Sequence, residues 1–274
     1  MKRVRVGDIE LAVRDEGSGA PVLFLHGFPD SSHLWRHQVG ALVQAGFRAI
    51  APDLRGFGAS DKPAETKAYG LQAIVKDVLA LLDALGVPRA HVVCHDFGAA
   101  VGWLLASLHP QRVDRFVPLS VGSPQSFSAA GFAQREKSWY MLLFQFRDVA
   151  EDIITRENWK FLREFARHHP ETEKWIADLS RPGALAAALN WYRANSGPER
   201  SFGALPALPK VKAPTLGVWS GWDAYLTEAQ MVGSAAFVEG PWRYERFEGA
   251  SHWLQLDQPD KLNRLLIDFL PRGG

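Results

Sequence analysis

The sequence contains one cysteine, little net charge and no long apolar run. One cysteine cannot form an internal disulfide, which is typical of a reducing compartment. A formal net charge of +1 favours neither nucleic acid nor an anionic membrane as a partner. No apolar run approaches the roughly 20 residues that span a bilayer. The basic N-terminal segment has no apolar stretch, so we expect no signal peptide. These absences predict a soluble cytoplasmic protein with no membrane or nucleic-acid partner.

The chain does contain an alternation of short apolar runs and segments with helical periodicity. Wholly apolar runs are typical of strands that are buried on both faces, and helices between them indicate a parallel sheet. The expected strands are 2–6, 9–13, 21–25, 47–51, 90–94, 113–120, 215–220 and 243–247. The expected helices outside the middle of the chain are 34–45, 71–85, 98–108, 227–238 and 262–270. This pattern predicts an α/β fold with a mostly parallel sheet flanked by helices.

The alternation lapses in the middle of the chain. From residue 124 to 208 the strand patterns vanish, Trp and Tyr become frequent, and helical stretches follow one another with Pro and Gly between them. We interpret 124–208 as a helical cap inserted into a core formed by 1–123 and 209–274.

The segment 94–99, CHDFGA, stands between an expected buried strand and an expected apolar helix. Its pattern describes a turn so tight that the neighbours of the central residue must be small, and it exposes that residue over the sheet edge. The central residue is Asp96, at a helix N-terminus where negative charge is favoured. The alternative for Asp96 is a plain helix N-cap. Cys94 takes a small flanking position, which is typical of a buried inert thiol.

Two further residues continue the order nucleophile, acid, histidine that accompanies such a turn. Asp223 follows the expected strand 215–220, and His252 follows the expected strand 243–247. The carboxyl ends of parallel strands share one sheet edge, so we expect both side chains near Asp96. Alone, Asp223 could be a helix cap and His252 a loop histidine. All three in this order favour a catalytic triad.

Four motifs carry a family resemblance. They are HGFP at 26–29, DLRGFGAS at 53–60, HDFG at 95–98 and SHW at 251–253. Together they resemble the α/β-hydrolase-fold epoxide hydrolases, and the haloalkane and haloacetate dehalogenases share many of them. The resemblance spans essentially the whole chain. It implies the α/β-hydrolase fold, no cofactor, no metal, and a cis bond between Phe28 and Pro29.

An aspartate in the elbow position restricts the chemistry. The Asp96 carboxylate is ionised at pH 7 and needs no base to activate it. Its attack on an acyl group would give an anhydride, whereas attack on a saturated carbon gives a stable ester. His252 is then free to deprotonate the water that hydrolyses this ester, with Asp223 orienting the imidazole. The backbone N–H groups of Phe28 and Phe97 are the candidates for the oxyanion hole.

The leaving group separates the members of this family. A halide needs N–H donors, but the Phe97 side chain after the nucleophile donates nothing. An epoxide leaves as an alkoxide and needs a proton donor, a role that suits a neutral tyrosine. Tyr140, in WYMLLFQ, and Tyr192, in LNWYR, resemble the tyrosines of the epoxide-hydrolase cap. The alternative is that both only pack within the cap.

The sequence therefore predicts an epoxide hydrolase that converts a small apolar epoxide and water into a vicinal diol through an ester on Asp96. We expect Trp35, Phe97 and Trp253 to contact the substrate, although the setting of Trp35 is also typical of a core residue. A haloalkane or haloacetate dehalogenase with the same triad is one alternative, and a non-catalytic ligand-binding member of the fold is another. The oligomeric state, a homodimer included, stays open.

Overall fold

Eight strands form one sheet within residues 1–197 and 207–272, the part of the chain that the computed structural model describes. They are β1 (Lys2–Val6), β2 (Ile9–Gly17), β3 (Pro21–Leu25), β4 (Arg48–Pro52), β5 (Ala90–His95), β6 (Val113–Leu119), β7 (Thr215–Ser220) and β8 (Trp242–Phe247). Their spatial order is β1-β2-β4-β3-β5-β6-β7-β8. β2 pairs antiparallel with β1 and β4, and all the other pairs are parallel. The predicted mostly parallel sheet is confirmed.

Helices flank this sheet. Those of the core are α1 (Arg36–Gln44), α2 (Leu71–Ala84), α3 (Phe97–Leu108), α10 (Glu228–Val232), α11 (Leu254–Asp257) and α12 (Pro259–Phe269). α1 packs against α12 and β4, whereas α2 packs against α3, and α3 lies on β5 and β6. The central strands β3 and β5 are consequently almost wholly buried, which explains their uninterrupted apolar sequence.

The helices between β6 and β7 form the cap. They are α4 (Pro124–Ala129), α5 (Gly131–Lys137), α6 (Tyr140–Leu143), α7 (Val149–Phe165), α8 (Thr172–Leu179) and α9 (Ala184–Asn195). The α7 segment is interrupted at 156–159, where the backbone leaves the helical conformation. The expected cap bounds, 124–208, include residues 198–206, which lie outside the described residues. We use the name cap for the described helices α4 to α9.

Two expected helices differ from the observed ones. The expected helix 34–45 begins as a 3₁₀ turn at Ser32–Trp35 before α1. The expected helix 227–238 consists of α10 followed by a 3₁₀ turn at Gly233–Phe237. Gly233 marks that change because a Cβ there would lie 2.5 Å from the Ser126 hydroxyl oxygen, so the chain approaches the cap closely. No helix among the described residues is long and apolar enough to cross a bilayer.

Candidate active site

The turn between β5 and α3 holds Asp96 in a strained conformation, with φ 53° and ψ −125°. Glycines allow the backbone of this turn to approach the neighbouring segments closely. A Cβ on Gly98 would lie 2.3 Å from the carbonyl oxygen of Leu25, and one on Gly27 would lie 2.2 Å from Oδ1 of Asp96. Cys94 is buried in β5, and burial raises the pKa of its thiol, in agreement with an inert role.

Asp96, Asp223 and His252 meet at the carboxyl edge of the sheet. His252 Nε2 lies 3.7 Å from Oδ2 of Asp96, and its Nδ1 lies 2.9 Å from Oδ2 of Asp223. Asp223 also accepts the backbone N–H groups of Tyr225 and Leu226, at 2.8 and 3.0 Å. The acid is thereby anchored by its own loop while it orients the imidazole. The structure brings together the three side chains that the sequence singled out.

The charges of this trio depend on one another. Burial disfavours the imidazolium form of His252, but the two neighbouring carboxylates, Asp223 and Asp96, outweigh burial and raise the pKa of His252 to about 10. Burial also raises the pKa of the Asp96 carboxyl, but His252 and the N–H of Phe97 together bring that pKa below its ordinary value. The resting site at neutral pH therefore holds an ionised Asp96 beside a protonated His252.

His95, the last residue of β5, contacts His252. Its Nε2–H donates to the carbonyl oxygen of His252 at 2.9 Å, and the two rings lie 4.5 Å apart. Burial and the neighbouring His252 lower the pKa of His95 to about 3, so His95 is neutral. A neutral ring can stand this close to the imidazolium without repelling it by charge.

Two backbone N–H groups point at the Asp96 carboxylate. The N–H of Phe28 donates to Oδ1 at 2.8 Å, and the N–H of Phe97 also bonds the carboxylate. The Phe28–Pro29 peptide bond is cis, as expected. These are the two expected oxyanion-hole groups, and the structure places both beside the Asp96 carboxylate.

The HGFP and DLRGFGAS motifs hold each other in place. His26 donates from Nδ1 to the carbonyl oxygen of Gly27 at 3.0 Å, and its Nε2 accepts the N–H of Leu54 at 2.9 Å. Asp53 accepts the N–H groups of Ser32 and Ala59, both at 2.8 Å. The turn that presents the Phe28 N–H is thereby fixed by the neighbouring strand end.

Tyr192 and Tyr140 lie next to each other in the cap, beside the site. The Tyr192 ring packs on Phe97 and Phe28, at centroid distances of 4.6 and 5.6 Å. Tyr140 lies 5.9 Å from Tyr192 between ring centroids, and both side chains are buried. Burial and the negative charge of Asp96 raise the pKa of both hydroxyls well above the ordinary value, so both are protonated. Neither hydroxyl has a hydrogen-bond partner among the described residues.

The two tyrosine helices are joined directly to each other. Arg193 donates to the carbonyl oxygen of Phe144 at 3.0 Å and forms a two-pronged ion pair with Glu151, both bonds at 2.8 Å. Gln145 donates to the carbonyl oxygen of Tyr192 at 3.3 Å. These contacts fix the spacing of the two hydroxyls within the cap.

Trp253, Phe97 and Trp35 have different surroundings. Trp253 lies beside His252, with ring centroids 5.2 Å apart, and the Phe97 ring packs on Tyr192. Trp35 has no exposed surface, and its ring lies 5.2 Å from Phe24 of β3. The expectation that Trp35 contacts substrate is therefore wrong, because the 3₁₀ turn before α1 directs its ring into the core.

Sequence reasoning missed Asp30, which sits between two indoles. Asp30 accepts the Nε1–H of Trp175, from the cap, at 2.6 Å and that of Trp253, from the core, at 3.0 Å. Burial raises the pKa of the Asp30 carboxyl to about 7, although both indole bonds act in the opposite direction. The sequence offered one indication of this role: Asp30 directly follows the HGFP motif, and no residue next to it in the sequence is an obvious partner for a carboxylate.

Tyr225 was also missed. Its ring lies 5.1 Å from His252 and 5.8 Å from Tyr140, and its hydroxyl donates to the carbonyl oxygen of Phe165 in the cap. It forms the wall of the site between the imidazole and one cap tyrosine. Its position two residues after Asp223 was the available signal.

Comparison with known proteins agrees with this geometry. Residues 20–259 match the α/β-hydrolase fold family. The chain is 31% identical to Epoxide hydrolase A of Mycobacterium tuberculosis, over 97% of this chain and 96% of that protein. It is 31% identical to Epoxide hydrolase 3 of Xenopus tropicalis, over 91% of this chain and 71% of that protein.

Solved structures show the same likeness. A Bacillus megaterium epoxide hydrolase in complex with an inhibitor superposes with a TM-score of 0.89 at 26% identity, covering 98% of this chain and 99% of that chain. The Asp elbow, the order of the three polar residues and the helical cap are thus accompanied by similarity along nearly the whole chain. This chain belongs to the α/β-hydrolase fold family, in its epoxide hydrolase branch.

Proposed function

We propose that this protein hydrolyses a small apolar epoxide to a vicinal diol through a covalent ester on Asp96. One observation carries the proposal: the hydroxyls of Tyr140 and Tyr192 are protonated, have no partner among the described residues and lie near an ionised carboxylate, on side chains that are otherwise buried. Both hydroxyl oxygens keep some accessible surface, so each can donate its hydrogen bond to a ligand that enters beside them. The named relatives are epoxide hydrolases, which agrees with this substrate.

In the first step a carboxylate oxygen of Asp96 attacks an epoxide carbon. The C–O bond of the ring breaks, and the departing oxygen takes a proton from Tyr140 or Tyr192. Because burial keeps both hydroxyls protonated, they can hydrogen-bond the ring oxygen before it leaves and donate as charge develops. The product is a hydroxyalkyl ester of Asp96.

In the second step the ester is hydrolysed. Ester formation removes the charge of Asp96, one of the two carboxylates that raise the pKa of His252. The imidazolium can then pass its proton to the tyrosinate, and the neutral His252 becomes a competent base. It deprotonates a water that attacks the ester carbonyl. The N–H groups of Phe28 and Phe97 then donate to the oxyanion. On collapse the departing diol oxygen takes the remaining proton of the attacking water, which releases the diol and restores the ionised Asp96 beside a protonated His252.

The tryptophans argue against halide as the leaving group. Trp175 and Trp253 donate their indole N–H groups to Asp30. Trp191 packs on Phe97 but donates to the carbonyl oxygen of Arg55 at 2.9 Å. The indole N–H groups of Trp175, Trp191 and Trp253 are therefore already occupied, whereas the tyrosine hydroxyls are not. An alkoxide can use the hydroxyl protons fully, because it accepts a proton and a halide at neutral pH does not.

Single-turnover chemistry tests the proposal. Styrene oxide, a fatty epoxide and a short terminal epoxide form the substrate panel, and diol formation is the first readout. The His252→Gln variant should accumulate a substrate adduct in its intact mass, whereas Asp96→Asn should form neither adduct nor diol. In labelled water the unmodified protein should carry the label in Asp96 before the diol does. An unlabelled Asp96 beside labelled diol would mean direct attack by water and would overturn the ester mechanism.

A further inference from the structure

The loop that carries Asp223, residues 221–227 (the acid loop), is bonded on its outer side to cap helix α5. Gln134 donates from Nε2 to the carbonyl oxygen of Tyr225 at 2.8 Å, and its Oε1 accepts the N–H of Thr227 at 2.9 Å. Lys137, one turn further along α5, donates to the carbonyl oxygen of Asp223 at 2.7 Å. One amide thus pairs with the C=O of one residue and the N–H of the next but one, as a neighbouring strand would.

The inner side of the same loop orients Asp223, which bonds the imidazole of His252. The backbone N–H groups of Tyr225 and Leu226 donate to Oδ1 of Asp223, and Oδ2 bonds His252. The peptide unit between Tyr225 and Leu226 is therefore shared: its C=O accepts from Gln134 on the outside, and its N–H donates to Asp223 on the inside. A shift of this loop moves the carboxylate that holds the imidazole.

Helix α5 also leads directly to a tyrosine of the site. Tyr140 begins α6, three residues after Lys137 at the end of α5. Tyr225, in the acid loop, fills the space between Tyr140 and His252, and its hydroxyl donates to Phe165 of α7. The acid loop and the Tyr140 segment consequently share one set of tertiary contacts.

We propose that Gln134 is a positioning residue that places Tyr140 and the His252–Asp223 pair relative to each other. Gln134 is 1% exposed, and all four of its hydrogen-bonding positions are used: Nε2 also donates to the Ser138 hydroxyl at 2.9 Å, and Oε1 also accepts that of Thr227 at 3.0 Å. A fully paired buried amide permits a single arrangement of its partners. The kinetic part of this inference rests on the proposed function.

A matched control lies elsewhere in the cap. Asn195 donates to the carbonyl oxygen of Tyr69 at 2.8 Å and accepts the N–H of Leu71 at 3.0 Å, the same pairing pattern on a different core segment. The Gln134→Met and Asn195→Leu variants each remove one such cap-to-core amide while retaining apolar volume. Both should lose comparable stability, but only Gln134→Met loosens the loop of Asp223.

Two readouts separate positioning from packing. Because a misplacement of about 1 Å can cost about 100-fold in rate, Gln134→Met should slow hydrolysis of the Asp96 ester by roughly 10–100-fold. Asn195→Leu should hydrolyse its ester at the rate of the unmodified protein. By proton NMR, the His252 Nδ1–H resonance, which reports its bond to Asp223, should shift in Gln134→Met and stay in place in Asn195→Leu.

The NMR readout needs no substrate. It therefore tests the link between Gln134 and the loop of Asp223 even if no diol forms and the proposed function fails. A second variant, Lys137→Met, guards against misfolding because Lys137 is only partly buried. It should move the resonance in the same direction by a smaller amount. A resonance unchanged in Lys137→Met and in folded Gln134→Met, or ester hydrolysis in Gln134→Met as fast as in Asn195→Leu, would overturn the proposal.

Discussion

At the scale of single residues, charge coupling decides what each group can do. Asp96 and His252 stabilise each other's charged forms across 3.7 Å, and Asp223 adds a second negative charge at 2.9 Å from the ring. Tyr140 and Tyr192 keep their protons because they are buried near a carboxylate. In the proposed mechanism the site therefore holds a nucleophile that is ready at rest, a base that becomes available later, and two proton donors.

The tyrosines give the most discriminating test at this scale. Either single Tyr140→Phe or Tyr192→Phe change should slow alkylation of Asp96 by about 10–1000-fold, by analogy with removing one oxyanion donor. The double variant should lose nearly all epoxide turnover and remain folded, since Phe preserves the packing. Tyr69→Phe is the control, because the Tyr69 hydroxyl bonds the Pro63 carbonyl oxygen instead of facing the site. Near-normal diol formation by the double variant would contradict their role.

The pH dependence of alkylation tests the coupling of Asp96 and His252. Alkylation needs the ionised carboxylate, and His252 contributes to bringing the pKa of Asp96 below its ordinary value. In the unmodified protein the single-turnover rate should fall only below the pH range in which an ordinary aspartate titrates. Removing the imidazolium leaves burial as the larger influence, so in His252→Gln the acid limb of adduct formation should move to higher pH. A limb that stays in place would show that the two groups titrate independently.

At the scale of elements, the short motifs are explained by backbone segments that approach one another closely. The β5–α3 turn crosses the end of β3 so tightly that Gly98 faces the carbonyl oxygens of Leu25 and His26. The HGFP turn faces the same point from the other side, where Gly27 leaves room for the Asp96 carboxylate. The sequence signals for both turns are glycines because any side chain there would collide with backbone that cannot move aside.

Gly98→Ala should therefore lower the free energy of unfolding by about 1–3 kcal/mol or more, because its Cβ would overlap backbone atoms of β3. Gly40→Ala is the matched control. Gly40 lies in α1, is exposed and has open space around it, so alanine there should raise the free energy of unfolding by about 0.5–1 kcal/mol. Chemical denaturation of both variants provides the measurement. Equal effects of the two changes would contradict the steric account of the elbow.

At the scale of the whole molecule, the cap is held to the core at separate places. Asp30 joins Trp175 of the cap to Trp253 of the core, and Gln134 joins α5 to the acid loop. Trp191 of α9 bonds the carbonyl oxygen of Arg55 in the core. The position of the tyrosines over Asp96 thus depends on contacts that surround the site.

The Asp30 contact should make stability depend on pH. Its folded pKa of about 7 is raised, so the stability it contributes is complete below the unfolded pKa of about 3.9 and is lost as pH rises through 7. Asp30→Asn lacks this titration. Between pH 4 and pH 8 the unmodified protein should lose on the order of 2–4 kcal/mol relative to Asp30→Asn, measured by denaturant unfolding. A stability difference that stays constant over this range would contradict a buried carboxyl at this place.

Much of this protein follows from local sequence pattern. The buried strands, the cap as a lapse in alternation, the elbow at Asp96 and the order of Asp223 and His252 are all readable along the chain, because each depends on neighbouring residues and on the topology of parallel sheets. The tertiary structure alone decided which indoles are occupied, which hydroxyls are unpartnered, that Trp35 lies in the core, and that Asp30 and Tyr225 belong to the site. These depend on distances between residues far apart in sequence: Asp30 and Trp253 are separated by 223 positions. Protonation depends on the same distances, since burial and neighbouring charge act through space and not along the chain.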